Sequence, residues 1–273
     1  MESREHPGGK LKDKVAIVTG AGRGIGESIA AAMSREGAII AVVEVSDQRC
    51  KETTDKIIGM GGQAISLKVD VSAWADVEKA VQTVVEKFGS VDILVNNAGI
   101  GQVENFMDGD IKRWERIIAV DLMGVIYFSR AVLDGMMKQK AGKIVNISSN
   151  AGRYACPRQV VYSAAKGAVM SFTQSLASEM APYKVHVNAI CPGNVDTPMY
   201  MKAHDLLPDH LKPYQRKMQI DIPWGRLASP EEIAALTVFL SSDDSNYLTG
   251  QCISIDGGAT HYPTIALEPP YVL

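Results

Sequence analysis

The chain has 273 residues, 46% hydrophobic and 22% charged, with a net charge of −3. That length accommodates a large core and suits one α/β domain. The balanced charge, without a basic run, excludes a nucleic-acid footprint, and no apolar run reaches the length of a membrane span. The four cysteines, Cys50, Cys156, Cys191 and Cys252, form no CxxC and no paired spacing. Reduced, mostly buried thiols and a cytoplasmic location are expected. His204, His210 and His261 lack metal-ligand spacing, so no metal site is expected. The opening MESREHPGGKLKDK is polar and lacks a leader's apolar stretch, so residues 1–10 are expected to be a flexible extension.

Lys14 to Thr19 is a short apolar, β-rich run. The turn GAGRGIG follows it, then a helical pattern through Ile29, Ala32 and Met33 that Gly37 closes. AIIAVVEV reads as a buried strand with Glu44 near its end. A polar helix from Ser46 to Met60 leads to a third strand near Ala64 to Val69. Ser72 is placed to N-cap the helix that runs to Phe88. The strand VDILVNN precedes AGIG and an acidic loop, then one long helix over roughly Ile111 to Gln139. Strand GKIVNIS is followed by SNAGRYACPRQVVYSAAK and a second long helix from near Tyr162 to before Pro182. Strand VHVNAI leads into CPGNVDTP. Met199 to Pro223 reads as irregular or weakly helical. A helix from Pro230 to Leu240 and the strand QCISI finish the core. The tail has no period. The strands are mostly continuous apolar runs alternating with helices. This predicts a parallel seven-stranded sheet with helices on both faces, in a single doubly wound Rossmann-type domain spanning 11–258. Segment 198–223 is expected to cover the substrate, and 259–273 to form a C-terminal tail.

Gly20, Gly24 and Gly26 lie between a strand and a helix, as a dinucleotide turn requires. Their spacing is GxxxGxG, which alone also fits glycine turns that bind nothing. Glu44 lies 24 residues after Gly20, where a carboxylate binds a ribose 2′-hydroxyl and repels a 2′-phosphate. A solvated strand-end charge is the plainer alternative. Arg23 points the other way, because an arginine in the turn can pair with a 2′-phosphate. Ser149 stands thirteen residues before Tyr162, and Lys166 four after it. On a helix, Tyr162 and Lys166 share one face. A lysine ammonium favours the phenolate of a tyrosine whose pKa is otherwise near ~10. A serine hydroxyl can hold the oxygen whose proton the tyrosine exchanges, which is general acid–base chemistry on a carbonyl/alcohol pair.

With TGAGRGIG, NNAG, the Ser149/Tyr162/Lys166 set and CPGNVDTP in this order, the chain resembles the short-chain dehydrogenase/reductase family from about Leu11 to Gly258. The resemblance implies Tyr162 as catalytic acid/base, Lys166 as its activator and ribose ligand, and Ser149 as the residue that polarises the substrate oxygen. It implies dinucleotide contacts from Gly20, Arg23, Gly24, Ile25, Gly26 and Glu44. It further implies adenine contacts from Asp70 and Val71 and an adenosine wall from Asn97, Ala98 and Gly99. Pro192, Gly193, Val195 and Thr197 would form the nicotinamide loop. Asn96 and Asn188 are read as structural. One position departs: Val120-Asp121-Leu122-Met123-Gly124 stands where the family has a VNLxG pattern whose asparagine holds a relay water. Asp121 either serves that relay or is a structural carboxylate.

These features imply an NAD-dependent oxidoreductase interconverting a polyol-like, sugar-like or cyclic secondary alcohol and its ketone. The alternatives are an NADP-linked ketone or 3-oxoacyl-type reductase and a catalytically silent dinucleotide-binding scaffold. Arg153 and Arg158, between Ser149 and Tyr162, are candidates to meet an anionic or polar substrate group; solvated loop arginines are the plainer reading. The expected partners are a small-molecule substrate and further copies of the chain, as a dimer or homotetramer, with no nucleic acid and no membrane.

Overall fold

A computed structural model describes residues 9–205 and 222–261. Seven parallel strands form one sheet: β1 (Val15–Thr19), β2 (Ile39–Glu44), β3 (Gln63–Lys68), β4 (Ile93–Asn96), β5 (Gly142–Ile147), β6 (Val185–Pro192) and β7 (Cys252–Ile255). Their order is β3-β2-β1-β4-β5-β6-β7. The order reverses between β1 and β4, and a crevice opens at the carboxyl ends of strands at such a switch point.

The apolar strand runs follow from burial on two faces. Ala16 and Val18 of β1 pack into one core cluster, and Val15 and Ile17 into the other. Ile40 and Val42 of β2 likewise oppose Ala41 and Val43. The first face is covered by α1 (Gly24–Arg35), α2 (Asp47–Gly59) and α8 (Pro230–Ser241), through Ile29, Met33, Ile57 and Ile233. The second is covered by α3 (Trp74–Phe88), α5 (Gly124–Gln139) and α6 (Val160–Met180), through Val77, Val84, Phe128, Met136 and Ala177. Each such Val, Ile, Met or Phe side chain contributes roughly 1.5–3 kcal/mol when fully buried.

Several expectations need correction. The long helix over Ile111 to Gln139 is two helices, α4 (Ile111–Ile118) and α5, joined by a π-helical turn at Ala119–Met123. Such turns insert a residue and shift the side chains beyond it, and they recur at functional sites. Ser72 does not cap α3: the helix begins at Trp74, and the Ser72 hydroxyl donates to Asp70 instead (2.7 Å). At the end of the expected extension, the Lys10 backbone N–H donates to Glu36 (2.8 Å) and its Nζ pairs with Asp244 (2.8 Å). Of the segment expected to be irregular or weakly helical, Pro198–Asp205 is a helix, α7, in line with the second of those readings. Residues 206–221 of the expected substrate cover, 1–8 of the extension and 262–273 of the tail lie outside the described residues.

Candidate active site

Three loops meet at the carboxyl edge of β1 and β4. The first carries Gly20 to Gly26. A Cβ on Gly20 would stand 2.7 Å from the Ala98 Cα, and Gly20 has φ +62°. A Cβ on Gly26 would stand 2.3 Å from the Gly20 carbonyl oxygen. The turn therefore needs glycine for its own close packing. Arg23 is exposed and holds the N-cap position of α1, where it makes no side-chain cap. Ile25 packs on the first core cluster. Asn97 ties this loop to β4: its Nδ2 donates to the carbonyls of Thr19 (2.9 Å) and Gly20 (3.1 Å), and the Thr19 hydroxyl accepts its N–H (3.0 Å). Asn97 is thus a brace of the glycine turn. The Ala98 N–H also donates to the Thr19 hydroxyl (3.0 Å).

Glu44 is buried at the end of β2 beside this loop. Its Oε1 accepts from the Ser46 N–H (3.3 Å) and from Arg49 (2.8 Å), and its Oε2 accepts from the Gly22 N–H (3.2 Å). A carboxylate offers about four lone-pair sites, so Oε2 retains one for a ribose hydroxyl. The sequence reading missed Arg49, which brings a guanidinium onto the acid. The signal was weak, since the pair joins a strand end to the next helix. Asp70 is engaged by Arg116 through Nη2 (2.9 and 3.1 Å) and by Ser72. Burial raises the Asp70 carboxyl, but its hydrogen bonds and Arg116 outweigh that and hold it below its ordinary range. Val71 is buried against Gly124.

The second loop follows β6. The Gly193 N–H donates to the Ile255 carbonyl (3.0 Å), and its Cα faces Asp256 so closely that a Cβ would sit 2.8 Å from the Asp256 Cβ. Pro192 ends β6 opposite Ile255, and Val195 bridges to Ala228. The Thr197 hydroxyl donates to the Val195 carbonyl (3.3 Å) and accepts the Tyr200 N–H (3.2 Å) at the start of α7. A Cβ on Gly24 would lie 3.6 Å from the Thr197 methyl. The glycine turn and the expected nicotinamide loop therefore lie side by side.

The third loop and α6 carry the reactive groups. Lys166 and Asp121 are buried. Lys166 Nζ stands 3.3 Å from Asp121 Oδ2, donates to the Ile147 carbonyl (3.1 Å) and lies 5.6 Å from the centre of the Tyr162 ring. Asp121 Oδ1 accepts the Ile100 N–H (2.9 Å), while Oδ2 accepts no well-aligned hydrogen bond. Burial lowers Lys166, yet Asp121 and Tyr162 outweigh it and hold the ammonium above its ordinary pKa. Burial pushes the Asp121 carboxyl up, against the pull of Lys166 and the Ile100 N–H. Burial likewise pushes the Tyr162 phenol up; Lys166 and the Ser149 hydroxyl draw it down, and Asp121 adds to the rise. Gly99 lies against the pair, and a Cβ there would meet Asp121 Oδ2 at 2.9 Å.

Two glycines fix Ser149 over α6, since a Cβ on Gly152 would stand 2.6 Å from the Gly167 nitrogen. The Ser149 hydroxyl accepts the Ala151 N–H (3.1 Å). Ser148, its neighbour, donates to the Lys166 carbonyl inside the core (2.8 Å), so of the two serines Ser149 is the candidate. Asn96 bonds Ser129 and Asn146, and Asn188 bonds Leu248 and Gln251, so both are structural as expected.

The two loop arginines separate. Arg153 is exposed and donates through Nη2 to the Cys252 carbonyl on β7. Arg158 has a left-handed backbone (φ 70°), and its Nε is buried without a partner among the described residues. Gln102 is a further residue that the sequence reading missed. It is 1% exposed and touches the first turn of α6 from the loop after β4.

A family model described as "Enoyl-(Acyl carrier protein) reductase" matches residues 20–260. The chain is 41% identical to an oxidoreductase, UcpA, of Salmonella typhimurium, covering 92% of this chain and 96% of that one. It is 38% identical to a 2-(S)-hydroxypropyl-CoM dehydrogenase of Xanthobacter autotrophicus, covering 92% and 98%. The crystal structure of levodione reductase superposes with a TM-score of 0.89 at 31% identity, covering 92% of this chain and all (100%) of that one.

Proposed function

The chain belongs to the short-chain dehydrogenase/reductase family of oxidoreductases, and from that premise we propose that it interconverts a secondary alcohol and its ketone with NAD. The observation that carries the reading is the half-buried Tyr162 set against the buried Lys166 and Asp121, with Ser149 beside it. Bound NAD supplies the hydride acceptor. The Tyr162 phenolate takes the hydroxyl proton, and its oxygen needs the Lys166 charge because burial opposes ionisation. The Ser149 hydroxyl donates to the substrate oxygen as charge develops there. Lys166 would also hold the nicotinamide ribose. Asp121 Oδ2, with a free lone pair, is the acceptor for a water that leads the proton away. In reduction the same groups act in reverse.

The cofactor choice rests on Glu44. A 2′-phosphate would meet a buried carboxylate, whereas a 2′-hydroxyl can donate to Oε2. Arg49 and the exposed Arg23 support the second reading, an NADP-linked reductase, because both are cations beside that corner. Arg158 is the arginine we assign to an anionic or strongly polar substrate group, since an unpaired buried guanidinium nitrogen is costly. That assignment fits a polar hydroxylated substrate better than an unsubstituted hydrocarbon alcohol. We also propose a cytoplasmic homo-oligomer, a tetramer or dimer, built on the long helices; among the described residues no helix is long and apolar enough to cross a membrane. The test is a screen of polyols, cyclic alcohols, hydroxysteroids and hydroxy acids with NAD and NADP. Turnover of a secondary alcohol with a higher kcat/KM for NAD supports the reading; preference for NADP would replace it with the second.

A further inference from the structure

Helix α6 begins without a cap of its own. Its N-cap residue, Gln159, makes no side-chain capping hydrogen bond, and the first N–H groups of a helix have no partner within it. The partner comes from 60 residues away. Gln102 Oε1 accepts the N–H of Val161 (3.0 Å) and the N–H of Tyr162 (3.1 Å), the residue that carries the reactive phenol. The orientation of the amide is forced, because two donors face one end and a carboxylate faces the other. Its Nε2 donates to Glu104 Oε1 (2.9 Å).

Glu104 is itself fixed. Trp114 Nε1 donates to Oε1 (2.9 Å), Arg113 pairs with Oε2 (3.3 Å), and the Glu104 N–H donates to the Arg158 carbonyl (3.0 Å). The same loop is held at its start by Asp121, through the Ile100 N–H (2.9 Å). The loop after β4 thus spans from the Lys166 partner to the first turn of α6. Nothing in the sequence spacing connects these groups.

We propose that Gln102 is a positioning residue for Tyr162: through the backbone of the first turn of α6 it sets where the phenol stands relative to Lys166 and Ser149. The inference rests on Tyr162 as the acid/base. It differs from a plain stabilising role in what it predicts. A misplacement near 1 Å can cost on the order of 100-fold in rate. A helix cap alone would alter unfolding and leave the chemistry of the folded enzyme unchanged.

The experiment compares wild type with Gln102→Met, which keeps the length and removes the acceptor. The expected result is a kcat lowered roughly 10–100-fold, an unchanged KM for NAD, and an alkaline shift of the pH limb of kcat. The shift follows because a phenol displaced from Lys166 loses the charge that favours its anion. The exchange Gln102→Glu with Glu104→Gln returns an acceptor to the helix and a donor to the pair, and should restore most of kcat. If Gln102→Met does not fold, Gln102→Asn keeps the amide and withdraws it, and the same readouts apply. A lowered melting temperature with kcat and the pH limb at wild-type values would overturn the proposal. So would failure of the exchange variant to recover activity while folded. Turnover in Tyr162→Phe would defeat the function reading itself, separately from Gln102.

Discussion

Asp121 offers a direct way to measure the electrostatics of the site. Asp121→Asn keeps the shape, keeps an acceptor for the Ile100 N–H and removes one charge. The 3.3 Å and 5.6 Å separations through Lys166 Nζ place Oδ2 at most about 8.9 Å from the centre of the Tyr162 ring. At an effective dielectric near 20, two unit charges that far apart interact by about 2 kcal/mol. That corresponds to roughly 1.4 pKa units, and water in the open cleft reduces it to about one. The sign follows from the charge. Asp121 is among the causes that raise the Tyr162 pKa, so its loss stabilises the phenolate. The pH limb for alcohol oxidation should move about one unit to the acid side. Lys166 loses a partner that holds its own pKa up against burial, so the acid shift is read at pH values where the ammonium keeps its charge. The assay is kcat against pH in the oxidation direction, with saturating NAD and alcohol. An unmoved limb would mean that Asp121 is already neutral, and it would refute the ion-pair account.

Other consequences follow from single contacts. Asp121→Leu should cost roughly 3–5 kcal/mol in chemical denaturation, because it strands the buried Lys166 charge. Glu44→Ala should narrow the ratio of kcat/KM for NAD over NADP; an unchanged ratio would remove Glu44 from cofactor selection. Arg158→Ala should raise KM for the native substrate while Arg153→Ala does not, and equal effects would undo the distinction drawn from Cys252. Burial depresses the Lys143 pKa to about 8. In the unfolded chain this lysine keeps its proton to near 10.5, so folding releases a proton between those values and stability gains with pH there. The stability of wild type relative to Lys143→Met should therefore grow from pH ~8 to ~10; a flat difference in denaturation midpoints would contradict it.

The fold was largely legible because its signals are local. Continuous apolar strands, glycine turns and the Ser149, Tyr162 and Lys166 spacing each lie within one stretch of chain. What the sequence hid depends on contacts between distant stretches. Gln102 meets Tyr162 across 60 residues, and no period marks it. Arg153 and Arg158 look alike in sequence, yet one reaches a carbonyl of β7 and the other holds a left-handed backbone. The π-helical turn at Asp121 has no proline or glycine to announce it. It lies where α4 packs on α6 and α5 on α3, with the carboxylate reaching Lys166. The brace that Asn97 forms with Thr19 and Gly20, where its amide meets their carbonyls, was likewise hidden.

The central claim is that the Tyr162 phenol exchanges the substrate proton. Its most direct test is Tyr162→Phe, followed by NADH formation from a turned-over alcohol and by NADH binding through fluorescence. We predict that turnover falls by several orders of magnitude while NADH binding stays near wild type. Substantial turnover in the variant would contradict the account.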